Sequence, residues 1–207
     1  MAIRDNREYR NIPMFEVRAA EEGEEKSYIV EGYASTFEPY VLWEEDGIQY
    51  KEQIDPRAFE ETDMSDVIFC KDHQGTVFAR TKNGTVELSV DEHGLKTRTD
   101  LSKTASAREM FEEIQAGMYT QMSFAFVVEE DSYNRETHTR TILKIRKLYD
   151  VSAVSFPANP GTDISVATRA RFDGFIEEEK AERLAKEEAL KVLRSKYHYE
   201  RSKENGV

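Results

Sequence analysis

The chain has 207 residues, 39% of them hydrophobic and 34% charged, and carries a formal net charge of −12. That length suffices for one domain with a real core and an appendage, and the acidic balance argues against nucleic acid as the main partner, because phosphate binding needs a basic footprint. A single cysteine, Cys70, excludes an internal disulfide and fits a reducing compartment, and no apolar run is long enough for a signal peptide or a membrane span.

Residues 1–13 read as a polar leader. From 14 to 168 the chain reads as β-rich with short helices. Tyr28 to Phe37 is a run of β-branched and aromatic residues, with Gly32 as a candidate bulge. Ile48 to Ile54 is a second strand. Asp55-Pro56 opens a short helix to about Glu61, with Asp55 as cap and proline at the first helical position. Val67 to Cys70 is a short apolar strand running into Asp72-His73. Thr85–Val90 and Leu95–Asp100 flank the turn Asp91–Gly94, where glycine suits a positive φ.

Ser102 to Ala116 has the pattern of a helix capped by Thr104 or Ser106, with Glu109 placed for a capping box. Met110, Phe111 and Ile114 form its apolar stripe and Gly117 ends it. In the next strand Met122, Phe124, Phe126 and Val128 alternate with Gln121, Ser123, Ala125 and Val127. One face is bulky and suits a core. The other carries a hydroxyl among small residues, so Ser123 is expected to be approachable. Thr139 to Arg146 is the hairpin partner across a polar loop, Glu129 to His138. Leu148 to Phe156 follows, stopped by Pro157-Ala-Asn-Pro160. After Ala170 the chain is rich in Glu, Lys, Ala, Leu and Arg. It reads as one long amphipathic helix (tail 169–207) with Phe172, Ile176, Leu184, Val192, Leu193 and Tyr197 as a loose apolar stripe.

Several residues have the chemistry for a site. Ser123 is either a structural strand serine or a nucleophile if a histidine reaches it. There is no Gly-x-Ser-x-Gly elbow, which argues against an α/β-hydrolase. His73 follows an apolar strand and is the candidate base, against a solvated surface histidine. Cys70-x-x-His73 is half of a metal pattern, but no second Cys/His pair has matching spacing. His93, His138 and His198 sit in a turn, a polar loop and the charged tail. Asp150 interrupts the largely apolar Leu148–Phe156, where an unpartnered carboxylate is costly. It either pairs with Arg or Lys of a neighbouring strand or orients a histidine.

Six pieces occur in one order: Gly32–Phe37, Glu52–Phe59, Asp72-His73, Gly84–Leu95, Gly117–Phe126 and Asp150–Pro160. Over roughly residues 14 to 168 this set resembles the phage prohead proteases, the serine peptidases that mature tailed-phage capsids. The resemblance implies a mainly β, α+β fold: a closed or partly open assemblin-like β-barrel with short helices, followed here by the long tail helix. It puts the nucleophile at Ser123, the general base at His73 and the third member at Asp150, where relatives usually carry Glu. Relatives also show Gly-Arg after the histidine, where this chain has Ala79-Arg80.

Acyl transfer by such a set needs no metal or organic cofactor. The implied substrates are scaffold segments, the scaffold-like part of the major capsid protein, and the chain's own ends. The implied place is the procapsid in the bacterial host cytoplasm, with homo-oligomerisation as a control by analogy with the assemblins, and without nucleic acid or membrane as partner. The competing class is a non-enzymatic β-rich phage assembly protein that binds scaffold, with the tail helix as its working surface.

Overall fold

The computed structural model describes residues 7–12, 15–16, 28–155 and 166–204. It divides into two units, one ending at Ala167 and one beginning at Thr168. The first unit contains the strands β1 (Glu8–Ile12), β2 (Phe15–Glu16), β3 (Ile29–Thr36), β4 (Tyr40–Glu45), β5 (Ile48–Ile54), β6 (Ile68–Lys71), β7 (Gln74–Arg80), β8 (Val86–Val90), β9 (Gly94–Asp100), β10 (Gln121–Asn134) and β11 (Thr139–Val154). Its helix is α1 (Ala105–Gln115). The second unit holds the helix α2 (Val166–Glu204) except its first two residues.

The strands form two sheets. In the larger, β1, β10, β11, β5 and β4 lie side by side, β6 also pairs with β11, and β7 pairs with β6. The smaller runs β2, β3, β9, β8. The fold is thus mainly β with two helices, as expected, but neither sheet closes into a barrel among the described residues. The reason lies in β11. Its first part, Thr139–Ile142, pairs in parallel with β5, and its last part, Asp150–Ala153, pairs in parallel with β6. One edge of a long strand thereby serves two partners, and the sheet branches instead of curling back on itself.

Sequence pattern explains most elements. The bulky face of β10 works as the alternation demands: Met122, Phe124 and Phe126 are fully buried in a core shared with Phe69, Phe111 and Leu95. Helix α1 is capped by Thr104, whose hydroxyl accepts from the Ala107 amide at 3.1 Å. It ends in a Schellman turn, with Gly117 N–H on the Ile114 carbonyl, Met118 N–H on that of Glu113, and Gly117 at φ 76°. Gly94 is required by crowding: a Cβ there would lie 1.9 Å from the Ser35 carbonyl oxygen.

Four expectations are corrected. The irregularity in β3 falls between Tyr33 and Ser35, not at Gly32. Residues 56–61 form successive turns, not a helix, because the Ala58 carbonyl accepts from Ile145 N–H of β11 at 3.0 Å and is drawn into that strand. The hairpin of β10 and β11 is longer than read: register shifts between Ala125 and Asp131 carry the pairing out to Asn134, and β11 runs unbroken from Thr139 to Val154. Residues 8–12, inside the stretch read as a polar leader with no strand assigned, form a strand. The stop at Pro157–Pro160 lies outside the described residues. Helix α2 starts at Val166, a little before the expected tail, and its Leu184, Leu190, Val192 and Leu193 are exposed.

Strand β1 is held by buried charge. Glu8 and Arg10 lie on the face of β1 that meets Phe124 and Phe126 of β10. Arg10 donates through Nε and Nη2 to both carboxylate oxygens of Glu52 on β5, and through Nη2 to Glu8 at 2.6 Å. Arg140 of β11 donates to Glu8 at 2.7 and 2.9 Å, to Glu52 at 3.0 Å and to Asp131 of β10 at 2.7 Å. Tyr40 of β4 donates its hydroxyl to Glu52 at 2.6 Å. Five strands meet in this cluster. Burial opposes ionisation of Glu8, but Arg140 and Arg10 outweigh it and bring its pKa down to about 2.

Each charge in the cluster is balanced by the others, so removing one leaves its partners buried and uncompensated. Arg140→Ala is expected to lower unfolding free energy by about 3–5 kcal/mol, read by urea denaturation. Glu8 ties stability to pH: its contribution is complete above its ordinary value near 4.5 and is lost as pH falls towards about 2. Acid titration followed by circular dichroism should show that loss, and Glu8→Gln should flatten it.

Candidate active site

Three strands place the site residues. In the β10–β11 ladder Ser123 lies opposite Ser152, and Ala125 opposite Asp150. In the β11–β6 ladder Ser152 lies beside Cys70. The two-residue period keeps Asp150 and Ser152 on one face of β11. That face therefore carries Cys70, Ser152 and Ser123 in one row, with Asp150 and the small Ala125 in the next.

His73 arrives from the hairpin of β6 and β7. Lys71 pairs with Gln74, so Asp72-His73 is a two-residue turn, and both residues have positive φ, 47° and 58°. That is the pattern of a type I′ hairpin turn. A left-handed non-glycine residue costs on the order of 1–3 kcal/mol and persists only where its surroundings fix it. Here Asp72 N–H donates to the Ala153 carbonyl at 3.1 Å, and Ser155 N–H donates to Asp72 Oδ1 at 3.2 Å. The turn is thereby pinned to the end of β11, and its imidazole lies over the row of small residues.

The distances are short. His73 Nδ1 is 2.6 Å from Asp150 Oδ1, and Nε2 is 2.5 Å from Ser123 Oγ. A carboxylate only accepts, so Nδ1 carries the proton and donates it to Asp150, while Nε2 accepts from the Ser123 hydroxyl. The edge of the His73 ring contact is closed by Tyr9 of β1, whose ring centroid is 4.6 Å away in a T-shaped arrangement. Asp150 is one methylene shorter than glutamate, yet it reaches the imidazole.

All three sequence-predicted residues, His73, Ser123 and Asp150, come together. His138 and His93 do not join them: His138 meets Tyr133 at 3.2 Å, and His93 lies against Tyr33. Arg80 is held by Asp66 at 2.6 and 3.0 Å. One expectation about Ser123 is corrected. Its face is not open: Ser123 and Ala125 are both fully buried. Neighbouring strands on both sides of β10, and the His73 turn, fill the space that the alternation alone leaves vacant.

Two groups escaped the sequence reading. Ser152 Oγ donates to Asp150 Oδ1 at 2.7 Å and lies 3.1 Å from Cys70 Sγ. Its signal was present, two residues beyond Asp150 on the same strand face. Tyr9 was hidden in a stretch that reads as solvated. Among the described residues no cluster of three metal-ligating side chains occurs.

A sequence model of the caudovirus prohead serine proteases matches residues 14–173. The chain belongs to that family. It is accordingly a serine peptidase, a hydrolase of peptide bonds in phage capsid maturation, and the non-enzymatic reading is set aside. No curated protein matches the sequence, and no solved structure matches it. No helix among the described residues is long and apolar enough to cross a membrane.

Cys70 is a near neighbour of the site but a poor nucleophile. Burial, with the Asp150 charge, pushes its thiol up to about 11. The folded peptidase is expected to resist iodoacetamide at pH 8, whereas the urea-unfolded chain is alkylated; mass spectrometry of Cys70 reads both.

Proposed function

We propose that Ser123, His73 and Asp150 are the catalytic triad of this peptidase. The observation that carries this reading is the continuous hydrogen-bonded line from Ser123 Oγ through both ring nitrogens of His73 to Asp150 Oδ1. His73 Nε2 takes the Ser123 proton as Oγ attacks the peptide carbonyl carbon. The tetrahedral adduct collapses when His73 returns that proton to the leaving amine. Water, deprotonated by the same nitrogen, then hydrolyses the acyl-enzyme and releases Ser123. Asp150 holds the tautomer that leaves Nε2 free to accept, and offsets the positive charge of the imidazolium.

The substrates we assign are scaffold segments and the scaffold-like part of the major capsid protein, with cleavage of the chain's own ends. The place is the interior of the procapsid, in the host. Family membership supports the capsid protein as substrate class. The exposed Leu184, Leu190, Val192 and Leu193 of α2, set among charged residues, support a docking or packaging role for that helix. Burial of Ser123 bears on control. A peptide carbonyl reaches it only after its cover moves, which fits a peptidase restrained until assembly, with self-association as the trigger.

Co-expression with the capsid protein, read by intact mass, tests the assignment. Ser123→Ala is expected to lower turnover on the order of a millionfold with the fold retained. Asp150→Asn should lower it on the order of ten-thousandfold by presenting the wrong tautomer. Normal processing by either variant overturns that residue's role.

A further inference from the structure

We infer that Ser152 is a positioning residue for Asp150, and this rests on the triad reading above. Asp150 Oδ1 is the single atom on which two donors converge: His73 Nδ1–H at 2.6 Å and Ser152 O–H at 2.7 Å. Ser152 has no exposed surface, so water does not substitute for it in this arrangement. Its Oγ is also 3.3 Å from His73 Nδ1, which places the hydroxyl in the angle between imidazole and carboxylate.

The donor direction is set from behind. Cys70 Sγ lies 3.1 Å from Ser152 Oγ, and a thiol that stays protonated has an S–H to give. The chain of donation then runs Cys70 to Ser152 to Asp150, with each hydroxyl or thiol proton pointing towards the carboxylate. The ladders fix the spacing, because Cys70, Ser152 and Ser123 occupy facing positions on three adjacent strands.

This arrangement answers a problem specific to a short carboxylate. An aspartate side chain has several staggered rotamers, and the one present here brings Oδ1 to the imidazole. A buried hydroxyl two residues along the same face selects that rotamer and satisfies the oxygen's second lone-pair direction. Ser152 never touches the substrate. It acts through Asp150, and Asp150 through His73.

The test is a double-mutant cycle on purified full-length chain, reading cleavage of a capsid-derived peptide. Ser152→Ala is expected to lower kcat about tenfold to a hundredfold, the worth of one hydrogen bond to a charged group, with KM unchanged. In the Asp150→Ala background the same substitution should have no further effect, because the group it positions is gone. Ser152→Cys, assayed under reducing conditions so that it stays unbridged to Cys70, keeps a weaker donor in place and should fall between wild type and Ser152→Ala; if Ser152→Ala does not fold, this variant supplies the cycle. An unchanged kcat, or an equal loss with and without Asp150, overturns the positioning role. Ser123→Ala is run in parallel: full cleavage there overturns the triad itself, whereas loss there with no effect at Ser152 overturns only this inference.

Discussion

Strand β11 is the reference to which every part of the site is aligned. One of its edges belongs to β10 along its whole length, and the other is divided between β5 and β6. A slip of one residue in either ladder would turn Asp150 and Ser152 to the opposite face. The imidazole depends on the same strand, since its turn is tied to Ala153 and Ser155. The hydroxyl, the imidazole and the carboxyl group are therefore all referred to one strand by backbone pairing.

What fixes that register is divided between apolar packing and buried charge, both of which involve the face of β10 that carries Phe124 and Phe126. The apolar core holds Met122 and Phe124 fully buried. Packing of this kind fixes which face turns inward but is non-directional. The charged cluster is directional instead. Two guanidinium groups each bridge carboxylates from different strands, and a shifted β5 or β1 would leave a buried charge without its partner. Apolar burial supplies the bulk of the driving force, and the ionic cluster discriminates among alignments.

The elements with local signals were legible in the sequence: the β8–β9 hairpin around Gly94, helix α1 with its Thr104 cap and Gly117 end, and the alternation of β10. Local pattern singled out each of the three site residues but did not join them into one set. Ser123 is 50 residues from His73, and His73 is 77 from Asp150, distances that carry no period. They were joined through the ordered motifs and their resemblance to prohead proteases. Strand β1 was missed because Glu8 and Arg10 look solvated until Glu52 and Arg140 are brought to them. The turns at 56–61 were misread because a distant amide, that of Ile145, takes the Ala58 carbonyl.

The bridge between Glu8 and Arg140 spans 132 positions of the chain. During synthesis at 5 to 20 residues per second, the earlier partner waits on the order of ten seconds for the later one to be made. Over that interval Glu8 and Arg10 of the early strand have each other but not Arg140, and Asp150 is still to be translated. If the proposed triad is the catalytic one, hydrolytic competence arrives late in the manufacture of each molecule, and a chain released early lacks it.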